Sequence, residues 1–522
     1  MQDYSLTVDR FLDHAAQWHG RAPVVTADAR TGDAVVGYAD LRDRANRLSG
    51  ALLDLGLKPG DRLATLAWNT QNHVEVWYAA MGIGIVCHTL NPRLTPAHLA
   101  AMIDEAGDRV LFVGGGLGTM AQTLLQACPC LERLILLDGD EPEIGATVPV
   151  DAFETLLAER GRSALWGQFD ERTPAGLCFT SGTTGAPKGV LYTHRSNYLS
   201  TLRMMQADTL GVTAEDTILV AVPMFHANAW GIPFAAPALG AAMVLPGRVT
   251  DGAALTGLIN RHGVTVATGV PTVWIGLLDH LDATGGDVPS LKRVAVGGAG
   301  CPEALLQRME DRLGVTVQTS WGMTELSPLG AISPPTTRPR AARASGRIPM
   351  GIDLRLTDAE GSVLPDQRNV VGHLKVKGHS VVRQYLGAAE SALDADGWFD
   401  TGDLALIDDD GNLTIAGRSK DLIKSGGEWI NPGEIEAIVG SMPSVGQVAV
   451  IGRIDLKWGE RPLMVIEPRQ GQTIVDADVV AALKGKVADW WIPDRIVTVA
   501  AMPVAATGKI DKVALRTLYG AA

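Results

Sequence analysis

Short apolar runs alternate with longer amphipathic ones through the first 160 residues, and nothing else in the chain narrows its fold as much. "RLATLAW" (62–68), "RVLFV" (109–113) and "RLILLD" (133–138) read as buried strands, while 39–56, 98–106 and 151–160 read as helices. Near-continuous apolar strands separated by helices mean a mainly parallel sheet covered on both faces. The pattern continues through "TVATGV" (265–270) and "RVAVGG" (293–298), then changes texture from Gly346. "HLKVKG" and "ALIDDDGNLTIAG" are short strands, the second a hairpin turning near Asp410-Gly411. A charged joint, "GRSKD" (417–421), precedes about a hundred residues of mixed α+β. There a helix from Pro432, the strands "QVAVIGR" and "PLMVIEP", a helix over 476–490 and the strand "RIVTVA" are expected. The expected class is α/β, with a large N-terminal domain over 1–419, stacked α/β with a β-rich part, and a small α+β domain over 420–522.

The 522 residues allow about three or four units of roughly 150 each. A net charge of −13 argues against wholesale nucleic-acid binding and against a polybasic membrane anchor. The five cysteines are odd in number and sparse, which fits free thiols in a reducing cytoplasm better than a disulfide framework. Cys128-Pro129-Cys130 lacks a second Cys/His pair nearby for a metal. The first twenty residues have no apolar signal segment; Val8, Phe11, Leu12, Ala15 and Ala16 mark one helix face instead. The uncharged run 227–247 is interrupted by Pro233, Pro237 and Pro246, so it reads as a buried helix and a strand rather than a transmembrane segment. Gly116, Gly118 and Ala121 make a G-x-G-x-x-A turn with Asp138 downstream, a weak dinucleotide signature whose ordinary reading is a glycine-rich turn.

The sharpest motif is "FTSGTTGAPKG" (179–189), which is not the common P-loop because Pro187 precedes the lysine and Gly189 follows it. Gly182, Gly185 and Gly189 let backbone N–H groups approach phosphate oxygens. Thr180, Ser181, Thr183 and Thr184 add hydroxyl donors, and Lys188 adds charge. Strand-like segments on both sides make it a structured turn suited to phosphate.

Further motifs follow in order: "PMFHANAWG" (223–231), "VGGAG" (296–300), "WGMTE" (321–325), "GWFDTGD" (397–403), "GRSKD", "KSGGEWINPGEIE" (424–436) and "TGKIDK" (507–512). Together with the loop they resemble the adenylate-forming superfamily of acyl-CoA synthetases, luciferases and peptide-synthetase adenylation domains. "FHANAWG" and "SGGEWI" are most similar to the medium- and long-chain fatty acyl-CoA synthetase branch.

The resemblance implies an AMP-forming ligase using ATP, Mg2+ and CoA to activate a small-molecule carboxylic acid. Lys509 would offset the repulsion between a carboxylate and the α-phosphate it attacks. Glu325, with Thr184, would hold magnesium. Asp403 and Arg418 would take the ribose and phosphate. Trp321, where the family usually carries tyrosine, would stack on adenine against the backbone at Gly298 and Ala299, with Gly322 and Thr324 beside it. His226, also a catalytic candidate, would line the acyl pocket with Trp230, Gly231 and Cys301. In the family the small domain is mobile and rotates about a hinge matching Lys420, bringing Gly426 and Gly427 to the thioester arm. No charge in "FHANAWG" pairs a second carboxylate, so a monocarboxylic acid with an apolar tail, short to medium in chain length, is favoured. Two rivals stay open: adenylation with transfer to a carrier protein, and a non-catalytic acyl-AMP-binding protein. Tail chemistry is open too, as is oligomeric state, although relatives often dimerise through the large domain.

Overall fold

Buried apolar strands of this kind pair wherever helices can cover both faces, and three sheets form among the described residues. A computed structural model describes residues 1–28, 32–138, 145, 147–180, 187–336, 344–426, 428–505 and 509–521. The first sheet has seven strands, in the order Val150–Ala152, Arg133–Leu136, Val110–Val113, Arg62–Leu66, Val86–Leu90, Pro174–Phe179 and Gly189–Thr193. Every neighbouring pair is parallel except the last, an antiparallel hairpin that projects the 179–189 motif.

The second sheet has thirteen strands. Its parallel part runs Pro23–Thr26, Ala242–Leu245, Thr217–Val220, Val266–Gly269, Arg293–Val296, Thr316–Gly322. At Leu329–Ile332 it turns antiparallel and continues into the β-rich part, Gly346–Arg347, Asn412–Arg418, Phe399–Ile407, Val371–Gly378 and Ile352–Thr357. Alternate residues of a strand point to opposite faces, so Ile218 and Val220 join one core and Leu219 another. The first core is shared with helices His194–Met204 and Ile232–Leu239, and the second with Gly252–His262 and Pro271–Thr284.

The N-terminal helix, Asp9–Trp18, buries Phe11, Leu12 and Ala15, and Phe11 stacks on Tyr198 with ring centroids 4.6 Å apart. The uncharged run becomes the buried helix Ile232–Leu239 and the strand Ala242–Leu245, separated by Gly240 at φ +76°. No described helix is long and apolar enough to cross a membrane. The glycine-rich turn at Gly116 joins strand Val110–Val113 to helix Gly118–Ala127. Its surroundings are occupied by the protein itself: Gly115 N–H donates to Asp138 at 2.8 Å, and an Arg248 nitrogen stands 3.0 Å from where a Gly116 Cβ would be.

The chain leaves the large sheet at Arg418, makes a 3-10 turn over Ser419–Asp421 and enters a five-stranded sheet at Ile423. One expectation in this region is corrected. The helix foreseen over 476–490 stops at Leu483, and a separate 3-10 turn, Asp489–Trp491, follows. Gly485 adopts φ +74°, a conformation that ends a right-handed helix.

Asn69 joins the two large sheets. It follows strand Arg62–Leu66 and is 4% exposed. Its amide donates to the carbonyls of Val220 and Val222, each at 2.8 Å, and its oxygen accepts from Met224 N–H at 2.8 Å. Three backbone groups leading to His226 therefore depend on one side chain. Asn69→Ala should leave them unpaired and lower stability by about 3 kcal/mol, read from urea unfolding. A change under about 0.5 kcal/mol, the size expected of a surface substitution, would contradict that role.

Candidate active site

The C-terminal ends of the parallel strands of the large sheet, the 179–189 hairpin and the small domain enclose one cavity of about 1140 Å³. Strand ends supply exposed backbone at which a ligand can approach. Glu325 sits in a 3-10 turn after strand Thr316–Gly322 and is 8% exposed. The Tyr385 hydroxyl donates to its Oε1 at 2.9 Å, Val382 N–H to its backbone oxygen at 2.7 Å, and the Tyr192 hydroxyl to the carbonyl of Thr324 at 2.8 Å. Burial, then Glu325, holds the Tyr385 hydroxyl above its ordinary pKa, so it stays a donor.

Asp403 is 2% exposed and does not itself line the cavity, although its neighbours Thr401 and Gly402 and its partner Arg418 do. It accepts the Trp321 indole N–H at 2.9 Å and pairs with Arg418 Nε at 2.8 Å. Burial pushes its carboxyl up, and Arg418 and Trp321 oppose that shift. Arg418 also donates to the carbonyl of Thr401 at 3.1 Å, which fixes the guanidinium.

Lys509 reaches the same cavity from the small domain and makes no ion pair with a described residue. Burial lowers its ammonium, as does Arg418, while Asp403 and Glu325 raise it. His226 is held down to about 4 by burial, then by Lys509 and Arg93, so its ring is neutral near pH 7. Its Nε2 has no partner among the described residues. Thr180 closes the phosphate-type hairpin, its N–H donating to the Lys188 carbonyl at 2.9 Å and its hydroxyl accepting Lys188 N–H at 3.1 Å. The Lys188 ammonium lies 4.9 Å from the centroid of the Tyr385 ring.

Trp230 is presented by an unusual turn. Ala227, Asn228, Ala229 and Trp230 have φ of 40°, 56°, 46° and 54°, and Gly231 has 77°. Four consecutive non-glycine residues in the left-handed region are strained. The Asn228 side chain donates to Asn197 at 3.4 Å. A Cβ at residue 297 would fall 3.2 Å from the Trp230 ring and 2.2 Å from Ser320 Oγ, so this close approach explains a glycine there. Met204, Leu210, Val222, Leu329 and Ile332 add apolar surface to the lining of the same cavity.

Thr180, Lys188, His226, Trp230, Gly298, Trp321, Gly322, Thr324, Glu325, Arg418, Lys420 and Lys509 thus share one cavity. Gly231 does not line it. It borders a small adjoining space with Met204 and Phe234, because the left-handed turn carries it away from the indole's side. Ala299 is exposed on the loop after Arg293–Val296, and Cys301 packs toward the second core; neither lines the cavity. Gly426 is also outside it, its N–H donating to the Trp458 carbonyl at 2.8 Å. Ser181, Gly182, Thr183, Thr184 and Gly427 lie outside the described residues. Sequence reasoning missed Arg93, Met204 and Tyr385, which line the cavity from distant elements. "NPRL" after a buried strand was a readable signal for Arg93; the other two had none.

No described group of three or more His, Cys, Asp or Glu could hold a metal by itself. Magnesium, however, usually takes one or two carboxylates and completes its shell with phosphate and water, and Glu325 suits that arrangement.

Residues 11–386 match the family described as AMP-binding enzyme, and residues 434–509 match the AMP-binding enzyme C-terminal domain. A 3-methylmercaptopropionyl-CoA ligase of Ruegeria pomeroyi is 41% identical, over 98% of this chain and 97% of its own length. A medium-chain-fatty-acid–CoA ligase of Ectopseudomonas oleovorans is 39% identical, over 100% and 97%. The crystal structure of ATP-bound MatB from Rhodopseudomonas palustris superposes with a TM-score of 0.85 at 26% identity, covering 99% of both chains. With both matches in order along one polypeptide, the chain belongs to the AMP-binding enzyme family of adenylate-forming proteins.

Proposed function

We propose that the protein is an ATP-dependent, AMP-forming acyl-CoA ligase acting on a short- to medium-chain monocarboxylic acid in the cytoplasm. The observation that carries this reading is the meeting of Lys509, Glu325, neutral His226 and Arg418, itself paired with Asp403, around one cavity that also has apolar lining. The relatives named as CoA ligases for methylmercaptopropionate and medium-chain fatty acids support it.

In the first half-reaction the acid's carboxylate attacks the α-phosphorus of ATP and pyrophosphate leaves. Thr180, Lys188 and the loop between them bind the leaving phosphates. Glu325 gives a carboxylate to Mg2+, which supplies charge neutralisation on the phosphates when bound. Asp403 accepts from the ribose hydroxyls, and Trp321 and Gly298 flank the base. Lys509 sits where two anions must approach, so its charge lowers the barrier. His226, neutral and with an open Nε2, hydrogen-bonds the acyl carboxylate or adenylate rather than repelling Lys509.

In the second half-reaction the CoA thiol, giving its proton to solvent, attacks the acyl carbonyl of the adenylate; the thioester forms as the acyl–phosphate bond breaks and AMP leaves, so Lys509 must withdraw. Arg418 is tied to Asp403 of the large sheet, whereas Asp421 is tied to Arg516 at 2.7 Å in the small domain. The pivot falls between these two ion pairs, at Lys420, just after Ser419, whose hydroxyl meets His373 Nδ1 of the large sheet at 3.1 Å. Rotation there carries strand Ile423–Ser425 and Gly426 after it toward the thioester arm.

Lys509→Ala should nearly abolish AMP release from acid and ATP yet spare CoA transfer to supplied acyl-AMP; equal loss in both half-reactions would sink the assignment. Lys420→Pro fixes φ near −65° and should let adenylate accumulate while CoA transfer falls steeply; unimpaired turnover would place the pivot elsewhere. Because Gly231 lies off the main cavity at φ +77°, tail length is better probed at Ala295, which lines it. Each buried methylene contributes about 0.8 kcal/mol, so activity should rise severalfold per carbon to an optimum of roughly four to ten carbons. Ala295→Leu should shift that optimum to shorter acids and leave KM for ATP nearly unchanged. An unmoved chain-length profile in an AMP-release assay would remove this end of the cavity from the acyl pocket.

A further inference from the structure

Residues 380–386 leave strand Val371–Gly378 and touch two functional elements on their way past the cavity. At one end the Ser380 carbonyl accepts from the Ser327 hydroxyl at 3.0 Å, and Val382 N–H donates to the Glu325 carbonyl at 2.7 Å. At the other, Tyr385 makes an antiparallel bridge with Val190, and Leu386 N–H donates to the Gly189 carbonyl at 2.8 Å. A Cβ on Gly189 would lie 2.9 Å from Leu386 Cβ, so this contact itself calls for the glycine that ends the hairpin motif. The segment is thus tied by its backbone both to the turn that carries Glu325 and to the hairpin that carries Lys188.

The Tyr385 side chain adds what the backbone does not. Its hydroxyl donates to Glu325 Oε1 at 2.9 Å, and its ring centroid lies 4.9 Å from the Lys188 ammonium. A cation over an aromatic face is held by the ring quadrupole. Hydroxyl and ring are one rigid group, so a single side chain relates the position of a carboxylate to that of an ammonium. The three residues come from separate elements and all line the cavity. Glu325 is 8% exposed, and among the described residues no donor meets its other oxygen, Oε2. Phenylalanine would pack the same ring; the hydroxyl serves the carboxylate alone. Burial and Glu325 keep that hydroxyl protonated, so it orients the carboxylate without bringing a positive charge beside it.

We propose that Tyr385 is a positioning residue for the adenylating step: its hydroxyl occupies Oε1 and orients Glu325 with Oε2 left for a nucleotide-bound Mg2+, while its ring holds Lys188 for the phosphates of the same nucleotide. The inference rests on the ligase reading above, in which Glu325 serves the metal and Lys188 the leaving phosphates. A hydrogen bond that orients a metal-binding carboxylate from outside is worth about 10- to 100-fold in metal affinity or activity.

The test is titration calorimetry of α,β-methylene-ATP, which cannot release pyrophosphate, with and without Mg2+, on the full-length protein and its Tyr385→Phe and Tyr385→Leu variants. The wild type should bind the analogue more tightly with Mg2+. Tyr385→Phe should cut that metal-dependent gain by about tenfold and leave the metal-free affinity within about twofold, because the ring stays beside Lys188. Tyr385→Leu should lose the gain equally and lower the metal-free affinity as well, by about two- to fivefold. In an AMP-release assay Tyr385→Phe should raise KM for MgATP and leave KM for the acid nearly unchanged. A phenylalanine variant that keeps the full gain would overturn the role of the hydroxyl. So would a wild type indifferent to Mg2+, or an equal loss with and without the metal, the sign of a merely structural contact. A leucine variant matching the phenylalanine one would overturn the role of the ring. Each of these outcomes leaves the ligase reading standing. A wild type that binds the analogue neither with nor without Mg2+ would overturn the ligase reading, and this inference with it.

Discussion

Asp403 carries a nearly inaccessible carboxylate shared between the Trp321 indole N–H and Arg418. Removing a charge from water is costly unless hydrogen bonds and an opposite charge replace the solvent, and here both do. The pair determines more than its own geometry. Trp321 ends a parallel strand four residues before Glu325, and Arg418 is the last residue of the large sheet before the chain crosses to the small domain. One buried anion thus aligns the Trp321 wall of the cavity, the turn that carries Glu325 and the starting point of the domain joint.

Around that anion the cavity's own charges are arranged so that few compete. His226 is neutral because burial and two nearby cations disfavour its protonated form. Lys509 is supplied by the small domain. Its ammonium is disfavoured by burial and by Arg418 and favoured by Asp403 and Glu325. An anion entering the cavity would add to the favourable side of that balance.

Most of the architecture was legible because buried parallel strands announce themselves as apolar runs, and the run at 62–68 became the strand Arg62–Leu66 almost residue for residue. The helix beyond Asp476 was overextended because apolar periodicity continues through Gly485, whose positive φ cannot be read from spacing. The phosphate-type hairpin and Glu325 were visible as motifs since each packs its chemistry into a few consecutive residues. Met204, Tyr385 and Thr268 were not, because they come from three separate elements and meet only through sheet topology. Gly231 illustrates the converse: adjacency to Trp230 in sequence suggested a shared wall, and a left-handed turn sends the two to different spaces.

The turn at 227–230 places four side chains in a region that disfavours L-residues by about 1–2 kcal/mol each, so its shape is imposed by its neighbours rather than by its own preferences. Asn228, braced by Asn197 and lying 4.0 Å from the sulfur of Cys178, is the main visible support. Both braces are buried, and the indole they position is two residues away. Substitution at Asn197 or Cys178 can therefore shift the Trp230 ring while every residue that lines the cavity stays the same. The shape of that space is then not set by its lining residues alone.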